Sequence, residues 1–510
     1  MIMKFVLIIL CLYLSFSLQA AFDFNPYNLD KQFSKELKKY FRKIDRRKMI
    51  VAKESNPINI RHQELITYLL DHHYVTMQNV ENIRIILTQI LIQKENKQPI
   101  MANQHHELRR NYTEYINSLV KIFHLARTLL PSSTGVDDLF EPGEYFIDKM
   151  GWILAHSILV NDYLQLCDLA YYNSFTRLYL NSKDSAYDIP VNHLDALNIY
   201  LNNSQELLHL KTIFLKMEAY AQNGPNQPVS FNEIYDILKE LEYYKNLIHH
   251  DVYTSVSKPY HRLMLKIRDA FRKSISKTGF ALSKVVGNFA GNTKLRSKGY
   301  LYGQTKAKDI LLAQLKPLDV LLDKNYNRLS NYLITSHFGH AAIWLGTKQQ
   351  LIEIGMWNHP YIHSFQEEIA KGNVILESVR SGVRLTSLEN FLDVDELLVL
   401  RYDGFGQPPS YLMDRVYFNG LIHLNKPYDF NFDTFTTELI ICSELVFLAF
   451  DFVDWDYDYV FKRYMIDPDH IAQRVFNDFP DFSMPLFLTS SRPHEIVMRN
   501  LDYLELVLKK

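Results

Sequence analysis

A change of hydrophobic rhythm near residue 310 limits this chain more than any other feature. From about residue 30 to 290, apolar residues recur every three or four positions, the spacing of an amphipathic helix. Leu29–Ile44, Glu64–Leu70, Val80–Leu91, Glu107–Leu130, His193–Gln222 and Phe231–Ile248 read this way, and Pro131-Ser132-Ser133 and Asn223–Pro228 act as breakers. Gly151–Leu180 is apolar nearly all round and is expected to be a central, buried helix. Short links between such helices predict an antiparallel bundle. From Ile310 onward, short β-like runs appear at Asp319–Leu322, His340–Leu345, Leu351–Ile354, Val374–Val379 and Leu397–Arg401. Helix returns at Pro409–Gly420 and Cys442–Phe452, so this part is α+β. The boundary is expected in Gly291–Gln304. Only 17 glycines, against 31 Phe and 33 Tyr, argue for extensive helix over a glycine-rich all-β design.

At 510 residues the chain exceeds one ordinary core. Its net charge of −1 offers no global attraction for nucleic acid, which is not expected as a partner. One local exception is the basic stretch 261–308, with Arg262, Lys266, Arg268 and Arg272 among its cations. It reads either as peripheral contact with an anionic membrane or polymer, or as a solvated helix face leading into a linker. Residues 1–20 have the three parts of a secretory signal: Lys4, the apolar run Phe5–Leu14, and Leu18-Gln19-Ala20 before a cleavage point. The expectation is export, to a periplasmic or secreted location, with an uncleaved anchor as the alternative. Cleavage would leave Cys167 and Cys442, which do not make a disulfide framework.

A cysteine nucleophile needs a base, a group that orients the base, and surroundings that favour the thiolate. A helix beginning at Cys442 would supply unpaired N–H groups and a favourable dipole, both to the thiolate and to an oxyanion. Judged by its apolar neighbours alone, Cys442 reads first as a small buried hydrophobe. His340 lies in Gly339-His340-Ala341-Ala342-Ile343-Trp344. A two-residue turn at Gly346-Thr347 would place it opposite Glu353 on a paired strand, where a carboxylate can hold one imidazole tautomer. Asp319 is read as structural, pairing with backbone near the His340 strand. The pairs His72-His73, His105-His106 and His249-His250 lack zinc-site spacing and are read as surface or helix-terminal residues, with no metal or cofactor expected.

The stretch Leu315-Lys316-Pro317-Leu318-Asp319 followed by Ser336-His337-Phe338-Gly339-His340 resembles the opening of the YiiX/YebB-like hydrolases, circularly permuted relatives of NlpC-type cell-wall peptidases. Asn425-Lys426-Pro427-Tyr428-Asp429 leading to Cys442-Ser443-Glu444-Leu445-Val446 is similar to their later motif. Gly382-Val383-Arg384-Leu385 through Phe391-Leu392 and Ile466–Ile471 resemble the segments between and after. The resemblance covers about residues 310–490. It implies a permuted papain-like α+β domain with an antiparallel sheet, following an all-α helical domain. The expected organisation is a signal peptide at 1–20, helices at 21–300 and the hydrolase at 301–510. The resemblance further implies Cys442 as nucleophile, His340 as base and Glu353 as orienter, with Tyr428, Asp429, Ser443 and Glu444 near the thiol, shaping the site or holding substrate. Leu318 departs from the family's Pro-Gly-Asp turn.

The function so implied is an exported cysteine amidase or peptidase acting through a thioester, on peptide, cell-wall or acyl-amide substrates. Two alternatives stay open: a lipid or N-acyl hydrolase or acyltransferase at a membrane surface, and a catalytically silent binding module.

Overall fold

The computed structural model describes residues 62–96, 98–129, 146–170, 174–191, 194, 204–223, 227–249, 298–326, 336–428, 439–460, 463–477, 481–492 and 494–509. The leader-like stretch 1–20 and residues 261–297 of the basic segment lie outside them. Among the described residues no helix is long and apolar enough to cross a membrane.

The N-terminal part is helical. It comprises α1 (His62–Glu95), α2 (Ala102–Leu129), α3 (Phe146–Ala170), α4 (Ser174–Leu180), α5 (Ser204–Asn223), α6 (Val229–Glu240) and α7 (Glu242–His249). The two segments expected around 64–70 and 80–91 join into the single α1, because nothing between them breaks a helix. Phe231–Ile248 instead divides at Leu241, whose extended backbone caps α6. The all-round apolar stretch is central, as its composition requires: Ile153, Leu154, Ile158, Leu159, Val160 and Tyr163 of α3 are all at least 98% buried. They pack with Tyr112, Tyr115, Phe214 and Phe231 in one core.

The C-terminal part is built on a seven-stranded antiparallel sheet in the order β4-β3-β2-β1-β5-β8-β9. Helix α8 (Thr305–Gln314) precedes β1 (Val320–Lys324) and β2 (His340–Trp344); α9 (Lys348–Glu353) follows. Next come β3 (Asn373–Val379), β4 (Gly382–Ser387), β5 (Glu396–Tyr402), α10 (Tyr411–Leu421) and α11 (Cys442–Ala449). A separate hairpin of β6 (Asp458–Val460) and β7 (Arg463–Met465) leads to α12 (Pro468–Gln473), then β8 (Phe482–Thr489), β9 (Val497–Met498) and α13 (Leu501–Leu508). The chain is therefore mixed α+β, helical first and sheet second. Helix α11 packs on β2 and β3, with Leu445, Val446 and Leu448 buried in the second core.

One strand expectation fails. Leu351–Ile354 is not a strand: Thr347 caps α9 by accepting from Gln350 N, while Gln350 Oε1 accepts from Thr347 N at 2.9 Å. This reciprocal capping box starts a helix where a hairpin was expected. The partner of β2 is instead β3, reached after residues 345–372.

Leu318 occupies the turn before β1 with φ +70°, the left-handed region that glycine tolerates best. The departure thus replaces a glycine-favouring position by a strained leucine, whose side chain is buried in the sheet core. Asp319, next to it, accepts from Lys316 N at 2.7 Å and from both Nε and Nη2 of Arg401, while its own carbonyl accepts from Trp344 N in the His340 strand.

The two parts meet at α2. Ala102 packs into the sheet domain's core, and His106 Nε2 donates to Leu448 O of α11 at 2.9 Å. Of the surface or helix-terminal reading of His105-His106, the surface part is corrected here: the pair lies near the start of α2 but both rings are buried, with His105 Nδ1 2.7 Å from Tyr179 Oη and His106 Nδ1 2.6 Å from Tyr187 Oη. A histidine pair on the buried face of a helix looks, in sequence, like any polar dipeptide. His73 bonds Asp162 through Nδ1 at 2.7 Å.

Candidate active site

Two elements of opposite kind bring the reactive groups together. Cys442 is the first residue of α11, so its N–H and that of Ser443 come before the first intrahelical bond, Leu445 N to Ile441 O. His340 is the first residue of β2, at the end of the strand against which α11 packs. Cys442 lies near enough to His340 to act on the imidazole and raise its pKa. Cys442 is 7% exposed and the His340 side chain 19%, a site at the surface's edge.

On its other side, His340 Nε2 lies 3.0 Å from Oε2 of Glu377 in β3, which leaves Nδ1 for the thiol. Ala342 is the register partner of Glu377, so His340, two residues earlier on the same strand face, is its diagonal neighbour. Glu377 is itself held: Arg384, opposite it on β4, donates from Nε to Oε1 at 2.9 Å. A second carboxylate, Asp323, is the register partner of His340 on β1. Burial works against charge on the imidazole, but Cys442, Glu377 and Asp323 together outweigh it and hold His340 well above its ordinary value of 6.5. Burial likewise pushes Glu377 upward, and the His340 and Arg384 charges overcome this and hold its carboxyl below the usual range. Phe391 covers the imidazole, its ring centroid 5.9 Å away.

Backbone anchors fix both arms. Asp469 of α12 accepts from His337 N at 2.5 Å and Phe338 N at 2.8 Å, pinning the approach to His340. Ser443 donates from Oγ to Ile466 O at 2.7 Å, and Ser378 of β3 donates to Ile440 O at 2.6 Å, tying down the start of α11.

The residues expected from sequence fare unequally. Cys442 and His340 come together. Glu353 does not join them: it sits exposed on α9, accepting from Gln349 Nε2 at 3.0 Å, because the capping box at Thr347 diverts the chain before any hairpin forms. Ser443 and Glu444 are 1% and 2% exposed and turn inward, Ser443 to Ile466 and Glu444 accepting from Ile441 N at 3.4 Å. Both are thus buried at the helix start. Tyr428 is half-buried, one residue after Pro427, whose carbonyl accepts from Ile440 N. Asp429 lies outside the described residues. Glu377 was missed, though a lone carboxylate in the apolar run Val374–Val379 signals a buried partner. Asp323 carried the same signal at the end of β1.

Residues 314–493 match the model of the permuted papain-like amidase enzymes, the YaeF/YiiX, C92 family. No curated protein and no solved structure matches the chain. The matched span contains His340, Glu377 and Cys442 and leaves the helical part outside it. The sheet domain of this chain therefore belongs to the permuted papain-like amidases of the YaeF/YiiX family, a group of cysteine hydrolases.

Proposed function

We propose that the protein is an amide hydrolase in which Cys442 is the nucleophile, His340 its base and Glu377 the carboxylate that orients the base. The observation that carries this is the position of His340, at the end of the strand against which the Cys442 helix packs and 3.0 Å from Glu377. Glu377 accepts the Nε2 proton, so Nδ1 takes the proton from Sγ, giving a thiolate–imidazolium pair. The thiolate adds to a substrate carbonyl, and the N–H groups at the start of α11 are suited to the oxyanion. His340 then protonates the departing amine, leaving a thioester on Cys442. Water, deprotonated by His340, releases the acid and restores the thiol. No step in this sequence calls on a metal.

Export would place the enzyme beside extracytoplasmic polymers, and peptide amides of the cell wall are the substrate class we favour. The support is the three-part pattern of residues 1–20 together with the amidase family of the sheet domain. The test is amine release from muropeptides, with acyl-enzyme trapped by acid quench and read by mass spectrometry. Release that disappears in Cys442→Ala, with the trapped acyl group on Cys442, is expected. Amine release that persists in Cys442→Ala would sink the reading.

A further inference from the structure

The helical part reaches the site through one buried cation. Lys426 Nζ lies 2.8 Å from Asp184 Oδ1, and both side chains are fully buried. Asp184 belongs to the helical part, where it caps the turn Ser185–Tyr187 and stands 3.3 Å from Arg109 of α2. The backbone around Lys426 faces the catalytic residues. Its carbonyl accepts from Val383 N at 2.8 Å, one residue before the Arg384 that holds Glu377. The next carbonyl, that of Pro427, accepts from Ile440 N at 3.1 Å, two residues before Cys442. Close approach here depends on Gly382, with φ +111°: a Cβ at that position would lie 2.6 Å from Lys426 O. Independently, His106 grips α11 itself at Leu448.

The geometry points to Lys426 as a positioning residue. Clamped on Asp184, it fixes the segment from which the Glu377–Arg384 strand pair and the approach to Cys442 both take their backbone bonds, so the helical part is a working component of the catalytic unit. A buried ion pair adds little net stability over an apolar pair of similar shape, but it enforces one geometry. That matters where thiol and imidazole must meet within a fraction of an ångström. The inference rests on the reading of Cys442 and His340 given above, and the experiment separates the two.

The experiment follows iodoacetamide labelling of Cys442 in the full chain from pH 5 to 9 by mass spectrometry, beside thermal unfolding. Wild type, His340→Ala, Lys426→Met/Asp184→Asn, Lys426→Arg and Asp184→Glu are compared. The double variant removes both charges yet leaves Arg109 an amide oxygen. We expect it to unfold cooperatively, lose at least about tenfold in labelling rate at pH 6, and take on the pH profile of His340→Ala. Lys426→Arg, which keeps the charge, should recover most of the rate. If the double variant does not fold, Asp184→Glu carries the test, with slower labelling expected at an unchanged melting temperature. A wild-type rate and profile in whichever variant is folded would overturn the inference, leaving the ion pair as glue between the parts. Wild-type labelling indifferent to His340→Ala would instead overturn the reading of the Cys442–His340 pair, and the role of Lys426 with it.

Discussion

Glu377 Oε2 sits 3.0 Å from His340 Nε2 across the β2–β3 pair, and Arg384 holds the opposite oxygen of the same carboxylate. The carboxylate proposed to orient the base is thus fixed by sheet register on both sides, in a way that an exposed residue on a short helix could not be. Glu377→Gln should lower kcat/KM by roughly 10²-fold or more. Glu353→Gln should stay within about twofold of wild type, as for an ordinary surface change. Steady-state amide hydrolysis by the two variants decides between them, and equal losses would refute the assignment of Glu377.

Asp323 raises the His340 pKa from the adjacent strand, after the larger contributions of Cys442 and Glu377. Asp323→Asn should therefore shift the loss of imidazolium to lower pH. The linkage runs in the same direction: a histidine raised in the fold contributes stability below its unfolded value near 6.5, and this is lost as pH rises through the folded value. The variant should lose part of that acid-side stabilisation. NMR titration of the His340 ring checks the sign, and an upward shift would contradict the electrostatic account.

Histidines at the junction of the two parts behave oppositely. Burial drives His105 down to about 3, with Arg109 and His106 adding to the shift. His106 is lowered by burial against the opposing pull of Asp451 and the Leu448 carbonyl, and His423 is lowered by burial with Lys426, His106 and His105. Such groups contribute stability above pH 6.5 that is lost as pH falls toward their folded values. Each should cost about 1.4 kcal/mol per pH unit below 6.5 while it stays neutral in the fold. Thermal unfolding should show a melting temperature falling steeply from pH 6.5 to 5. A flat profile over that range would count against neutral, buried rings.

Among the described residues, neither ring nitrogen of His423 has a hydrogen-bond partner, although the residue is fully buried. Replacing an unsatisfied polar ring by an apolar side chain removes a desolvation penalty of about 1–3 kcal/mol and opens some space. His423→Leu should thus be neutral to stabilising at pH 7 and should weaken the acid dependence. Denaturant unfolding at pH 7 and pH 5.5 measures both.

Asp469 accepts two backbone N–H groups ahead of His340. Asp469→Ala strands both donors and should cost roughly 2–4 kcal/mol, with a matching drop in Cys442 labelling. Asp469→Asn keeps one acceptor and should cost less. An Asp469→Ala variant with wild-type stability would show that the loop is held by other means.

Local pattern carried much of the architecture. The all-round apolar run at 151–180 was expected as one central helix; α3 is buried as expected but ends at Ala170, and the separate α4 begins at Ser174. Four of the five short β-like runs became strands of the sheet, since β-rich runs between turn residues have few alternatives. The fifth failed on a local signal too: Thr347-Lys348-Gln349-Gln350 reads as a capping box, and the helix propensity of 348–353 won over an assumed hairpin.

What the sequence determined by itself was therefore the kind of most segments and the change from helical to mixed α+β character along the chain, with Cys442 and His340 named as candidates by the motifs of the family it resembles. These follow from periodicity, capping residues and motif, all local properties. Only the tertiary structure decided which carboxylate lies against His340, because strand pairing across residues 345–372 is a long-range choice that no local pattern encodes. It likewise decided that Lys426 and His106 point into a junction between the two parts. Burial of a charge depends on a partner, here Asp184, which is 242 residues away in the chain.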